Sequence, residues 1–119
     1  MKKLFLLLIT IIISFSLFSC TSPEDLYGTW YVDDNGTRNI IQFSEDDNGK
    51  NVFIWAVYDI EQDSIVNNST GSFKISGDSI KFEFLQGSDP LTLQVSLKED
   101  TLTLSSDTAI MKMEKYVLE

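Results

Sequence analysis

The chain has 119 residues, one cysteine, no histidine and a formal net charge of −9. A single domain is the expectation at this length, and without histidine there is no Ser-His or Cys-His nucleophilic pair and no histidine-ligated metal. A lone cysteine closes no internal disulfide, and eighteen acidic against nine basic residues argue against a nucleic-acid partner, whose phosphates need a basic surface.

Met1-Lys2-Lys3 forms a basic n-region, and Leu4 to Phe18 is an apolar run interrupted only by Thr10, Ser14 and Ser16. The run is short for a bilayer-spanning helix, which needs about 20 residues, and suits a signal-peptide h-region. It ends in Leu17-Phe18-Ser19-Cys20, which resembles the lipobox of bacterial lipoproteins. The alternatives are a single-pass anchor and an ordinary signal peptide with an incidental cysteine, yet the chain's only cysteine stands at the end of the run. The resemblance implies removal of residues 1–19 and lipid attachment at Cys20, where several acyl chains at one point anchor stably to a membrane. Removal of the leader leaves 100 residues and, with Lys2 and Lys3 gone, takes the net charge from −9 to −11. Thr21 stands where an aspartate would often retain a lipoprotein at the inner membrane, so the expected location is the outer membrane, on either face.

Residues 20–25 read as a short polar tether, and residues 26–119 as the folded domain. In the domain, period-2 alternation dominates: Ile80, Phe82 and Phe84 alternate with Lys81 and Glu83, and Leu91, Leu93, Val95 and Leu97 with Thr92, Gln94 and Ser96. This pattern predicts strands near 28–33, 38–44, 51–58, 70–76, 79–85, 91–97, 101–105 and 109–117, each with one wet and one dry face. Asn35-Gly36 and Asn48-Gly49 carry the strongest signal for a two-residue hairpin turn, and 59–68 reads as the longest irregular loop. Short strands joined by hairpins fit a barrel or a two-sheet sandwich. Because nearly every link is a hairpin, and closure removes exposed edges, the expected fold is an all-β, eight-stranded antiparallel up-and-down barrel.

Leu26-Tyr27-Gly28-Thr29-Trp30 on the first strand carries Gly-x-Trp. With the strand pattern, the chain resembles the small lipocalin-like lipoproteins of Bacteroidetes type. The resemblance implies that Gly28 and Trp30 close the base of the barrel, and that a basic side chain from the last strand packs across the tryptophan. Here Lys115, with Lys112 as the alternative, takes that place.

No chemistry-bearing motif stands out. Centring an EF-hand on Gly49 or Gly36 puts Trp55 or Gln42 at position 12, where glutamate is needed, so no metal and no cofactor is expected. Most carboxylates fall in predicted turns rather than as a facing pair, and no enzymatic activity is expected. The exception to alternation is Val52-Phe53-Ile54-Trp55-Ala56-Val57-Tyr58, apolar on both faces. Either one face serves a ligand or partner, with Phe53, Trp55, Tyr58 and Tyr31 as the candidates, or the 59–68 loop folds over it. Asp63-Ser64-Ile65 is one of four Asp-Ser/Thr-apolar triplets resembling the O-glycosylation acceptor of Bacteroidetes envelope proteins, which makes Ser64 a candidate acceptor.

The expectation from sequence is a lipid-anchored, non-catalytic envelope protein that binds a small apolar or carbohydrate-like ligand. The alternative is a protein-interaction module with a filled barrel. An eight-stranded barrel is just wide enough for its own side chains to fill, and a cavity above about 300 Å³ is the low end for a ligand site.

Overall fold

A computed structural model describes residues 21–117; Cys20 and the leader, 1–19, lie outside the described residues. A helical turn, α1 (Pro23–Leu26), is followed by β1 (Gly28–Asp34), β2 (Thr37–Glu45), β3 (Asn51–Asp59), β4 (Ser64–Ser76), β5 (Ser79–Phe84), β6 (Leu91–Lys98), β7 (Thr101–Ser105) and β8 (Ile110–Lys115). The strands form a closed barrel in chain order, with every neighbouring pair antiparallel. The closing seam is short. It pairs Trp30 with Lys115 and Tyr31 with Glu114, and the Tyr116 N–H adds a bond of 2.8 Å to the Thr29 carbonyl.

The stretch read as a tether does more than connect. Pro23 opens α1, where its missing N–H costs nothing, and the Asp25 carboxylate accepts hydrogen bonds from the backbone N–H and hydroxyl of Ser22. The turn drives Leu26 completely out of solvent, and its carbonyl accepts the Trp30 indole N–H at 2.8 Å. This end of the barrel is its base. The Tyr27 hydroxyl bridges from α1 to the β2–β3 turn, donating to Asn51 Oδ1 at 2.6 Å, with Glu45 Oε2 at 3.2 Å.

The two Asn-Gly turns differ. Asn35 (φ 50°) and Gly36 (φ 85°) both take the left-handed conformation that a two-residue type I′ turn demands. At Asn48-Gly49 only Gly49 does (φ 79°), and the strands are joined by five residues, 46–50, of which Asp46 and Lys50 are tied by a backbone bond of 2.9 Å. There Asp46 Oδ1 accepts the backbone N–H groups of Asn48 and Lys50, at 2.9 and 2.8 Å, which favours the wider turn over the two-residue one.

The larger correction concerns 59–68. Ser64 to Asn68 is not loop but the first part of β4, paired with β3 from Asp59↔Ser64 to Val57↔Asn67, with Val66 bulged out of register. The connection shrinks to residues 60–63. The segment therefore extends the sheet beyond the rim and does not fold back over the outer face of β3.

The interior is filled. Trp30, Ile41, Phe43, Phe53, Phe73, Ile80, Phe82, Leu102, Leu104 and Met113 are each at most 2% exposed. Phe82 is the hub: its ring centroid lies 4.9 Å from that of Phe53, 5.4 Å from Trp55 and 6.2 Å from Phe43. Aromatic contacts at these spacings add to the burial of each ring. The inward residues come from alternate positions of the strands, as a half-wetted antiparallel sheet requires.

Candidate functional site

The four aromatic candidates split between the two sides of the wall. Phe53 is part of the packed core. Trp55 also points inward, half-buried, and its indole N–H donates to Asn39 Oδ1 at 3.1 Å. Tyr31, next to the inward Trp30, stands on the outer face. The Arg38 guanidinium lies 5.1 Å from its ring centroid, the Tyr116 ring meets it edge-on at 6.0 Å, and its hydroxyl reaches Glu114 at 3.4 Å. Tyr58 lies opposite Arg38 in the β2–β3 register, on the same outer face. These four residues do not form one site.

Arg38 is held by Asp33 through two bonds, of 2.6 and 3.0 Å. These hydrogen bonds hold the Asp33 carboxyl below its ordinary range and push the Arg38 guanidinium up. At the base, burial and then the bond to Glu45 raise the pKa of the Tyr27 hydroxyl.

The remaining candidates lie at the two ends. At the base, the Lys115 ammonium stands 5.5 Å from the Trp30 ring centroid, with Gly28 directly beneath its aliphatic stem; Lys112 is exposed on the outer face. At the rim, Ser64 is exposed at the start of β4 and follows Asp63, whose φ of 55° makes the reverse turn.

One concavity lies on the outside. A groove of about 590 Å³ crosses the outer face from β2 to β5. Its floor is built by Val52 and Ile54 of β3 and by Thr70 and Ser72 of β4. Lys50 and Asp46 edge it at the base, and Glu83 and Leu85 on the β5 side. Two of its apolar residues are open to solvent: Ile54 is 47% exposed and Leu85 81%.

Gly71 explains why Leu85 stands there. A Cβ at position 71 would lie 1.9 Å from the Glu83 carbonyl oxygen, so only glycine lets the β5 backbone pass this close. Just past that crossing, the Leu85 N–H bonds the Thr70 carbonyl at 2.9 Å and fixes Leu85 beside the floor.

The sequence pointed to β3 through its two apolar faces, and the outward members Val52 and Ile54 form the groove floor. It did not single out Leu85. The available signal was a break in parity: after Phe84 an apolar residue falls on the face that Lys81 and Glu83 occupy. Comparison with protein-family models, with curated proteins and with solved structures finds no match for this chain. The fold and the groove thus define the class: a closed eight-stranded up-and-down barrel, filled inside and concave on one outer face.

Proposed function

We propose that the chain is a lipid-anchored envelope lipoprotein whose barrel is a non-catalytic binding module, working through its outer surface upon a protein partner. The observation that carries this reading is the filled interior. Trp30, Phe43, Phe53, Phe73 and Phe82, each at most 2% exposed, occupy the centre of the barrel, which favours the outside as the working surface. The outer face, in contrast, sets Val52 and Ile54 beside the hydroxyls of Thr70 and Ser72 within a charged rim, a mixed composition that suits an interaction patch. The anchor rests on the lipobox and Cys20, with Thr21 favouring the outer membrane.

A second reading, a small apolar or carbohydrate-like ligand, is supported by the groove itself, whose volume of about 590 Å³ lies within the range of small-molecule sites. Affinity purification of the detergent-solubilised, acylated protein, with mass spectrometry of what co-purifies, separates the two. A protein recovered in stoichiometric amount supports the interaction module. A small molecule recovered alone supports the ligand reading, and intact mass reports the lipid on Cys20 independently.

A further inference from the structure

β4 is much longer than its partner on one side. β3 pairs with it along its length, from Ser64 to Ser72, whereas β5 pairs only with Gly71–Ser76. Among the described residues, no strand lies against the β5-side edge of 64–69. The hydrogen-bond directions show which groups face this edge. Because the Thr70 carbonyl bonds Leu85 of the β5 side, Asn68, two residues away, directs its N–H to the same edge. That N–H has no strand partner there and is held by the Asn67 side-chain oxygen at 2.8 Å. Residues 64–68 are all exposed, with Ile65 at 62% and Val66 at 57%.

Unpaired edges template strand addition, and proteins usually blunt them with lysine, proline or a bulge. This edge has the bulge at Val66 and the Asn67 side chain on the Asn68 N–H, which an incoming strand must displace. From Ser64 to Phe73 the sequence carries no charge and no proline.

We infer that the open edge of β4, residues 64–69, takes up an extended segment of a partner protein as an added antiparallel strand, apolar at its start and basic at its end. This deepens the interaction reading and rests on it. Main-chain bonds to an edge provide affinity, and adjoining pockets provide selectivity. Both are present. An antiparallel strand on β4 runs from base to rim, in line with β5. Its first residues abut Thr70 and Leu85, where the groove offers Ile54 and Leu85 to an apolar side chain. Its last residues reach the β3–β4 turn, whose sequence carries Asp59, Glu61 and Asp63; the nearest lysines in the hairpin sequence, Lys50 and Lys74, lie beyond its other end.

A second copy of this chain does not fit the same edge. A two-fold that pairs β4 antiparallel with itself reverses the barrel axis. Only Thr21 and Ser22 separate Cys20 from α1, and two or three extended residues span about 7–11 Å. An acylated Cys20 therefore sets the base against the bilayer, so two copies anchored in one membrane cannot be mutually inverted.

The test uses the acylated protein in lipid nanodiscs. It is titrated with a synthetic peptide, Leu-Thr-Val-Thr-Val-Lys-Lys, and with the same peptide carrying proline at both threonines. Hydrogen exchange is followed through residues 64–70. The expected result is protection confined to that segment, about tenfold slower exchange with the first peptide and none with the second. Asn68→Pro removes no ladder bond and is expected to abolish protection; Val66→Lys, which keeps the backbone intact, is expected to weaken it at least about tenfold. Protection elsewhere, or equal protection by the proline peptide, overturns the inference. Self-association that Val66→Lys abolishes also overturns it, in favour of a second copy. Peptide-induced protection in a protein whose intact mass shows no lipid supports the edge and overturns only the anchor.

Discussion

The Lys115 ammonium lies 5.5 Å from the centroid of the Trp30 ring, and its Cε would stand 3.0 Å from a Cβ placed on Gly28. One lysine stem thus occupies the space that glycine leaves free and covers the tryptophan of the closing seam. Trp30 and Lys115 are also partners in the short β1–β8 ladder, so this contact holds the barrel shut where few backbone bonds do.

Replacing Lys115 by Ala is expected to cost about 0.5–1 kcal/mol, the value of an exposed cation–π contact. Gly28→Ala is expected to cost about 1–3 kcal/mol, because φ at 28 is +127° and the added methyl meets Lys115. The double variant should lose less than the sum, since removing the lysine stem relieves the contact. Urea unfolding followed by tryptophan fluorescence measures all three.

Gly71→Ala is a harsher change. The Cβ would overlap the Glu83 carbonyl, which belongs to backbone and cannot rotate away. A loss of about 3 kcal/mol or more is expected, at or beyond the usual range for overpacking. Thermal unfolding measures it, and a variant as stable as the parent contradicts the close crossing.

Glu99 takes φ 55° in the turn between β6 and β7. A non-glycine residue there costs about 1–2 kcal/mol, partly offset by the chain entropy that glycine would add to the unfolded state. Glu99→Gly is therefore expected to stabilise the barrel by about 0.5–1 kcal/mol, read as a rise in urea midpoint at unchanged slope.

The Asp33–Arg38 pair makes a pH prediction. The Asp33 carboxyl is held below its ordinary range by the hydrogen bonds from Arg38, so folding favours its charged form. Its contribution is complete above the unfolded carboxyl pKa of about 3.9 and disappears as pH falls through the lower folded value. The stability advantage of the parent over Asp33→Asn should be constant near neutrality and vanish in acid. Unfolding midpoints across the acid range check this; an advantage that grows in acid contradicts the pairing.

Much of the architecture was legible because one rule governed it. Alternation at Ile80-Phe82-Phe84 and Leu93-Val95 placed strands and their inner faces together, since a half-buried sheet leaves little other choice. The first part of β4 escaped for the same reason. Ile65-Val66-Asn67-Asn68 does not alternate, because a strand that overhangs its sheet buries neither face and Val66 is bulged. The groove was half legible. The apolar outer face of β3 announced a surface, but its wall depends on β5 passing over Gly71, a non-local contact that leaves only one glycine in the sequence. The candidate aromatics were chosen by type, and type alone did not tell inner Phe53 and Trp55 from outer Tyr31 and Tyr58.

On the proposed function, the barrel acts through its outer face. The most direct test is recovery of co-purifying protein from membranes with the acylated parent, Ile54→Lys and Trp55→Phe, each verified as folded by thermal unfolding. Ile54→Lys puts a charge on the groove floor and leaves the interior intact, whereas Trp55→Phe alters the inner face alone. Ile54→Lys is expected to lose the partner and Trp55→Phe to keep it. Loss with Trp55→Phe and retention with Ile54→Lys would contradict the proposed function and return the binding site to the inside of the barrel.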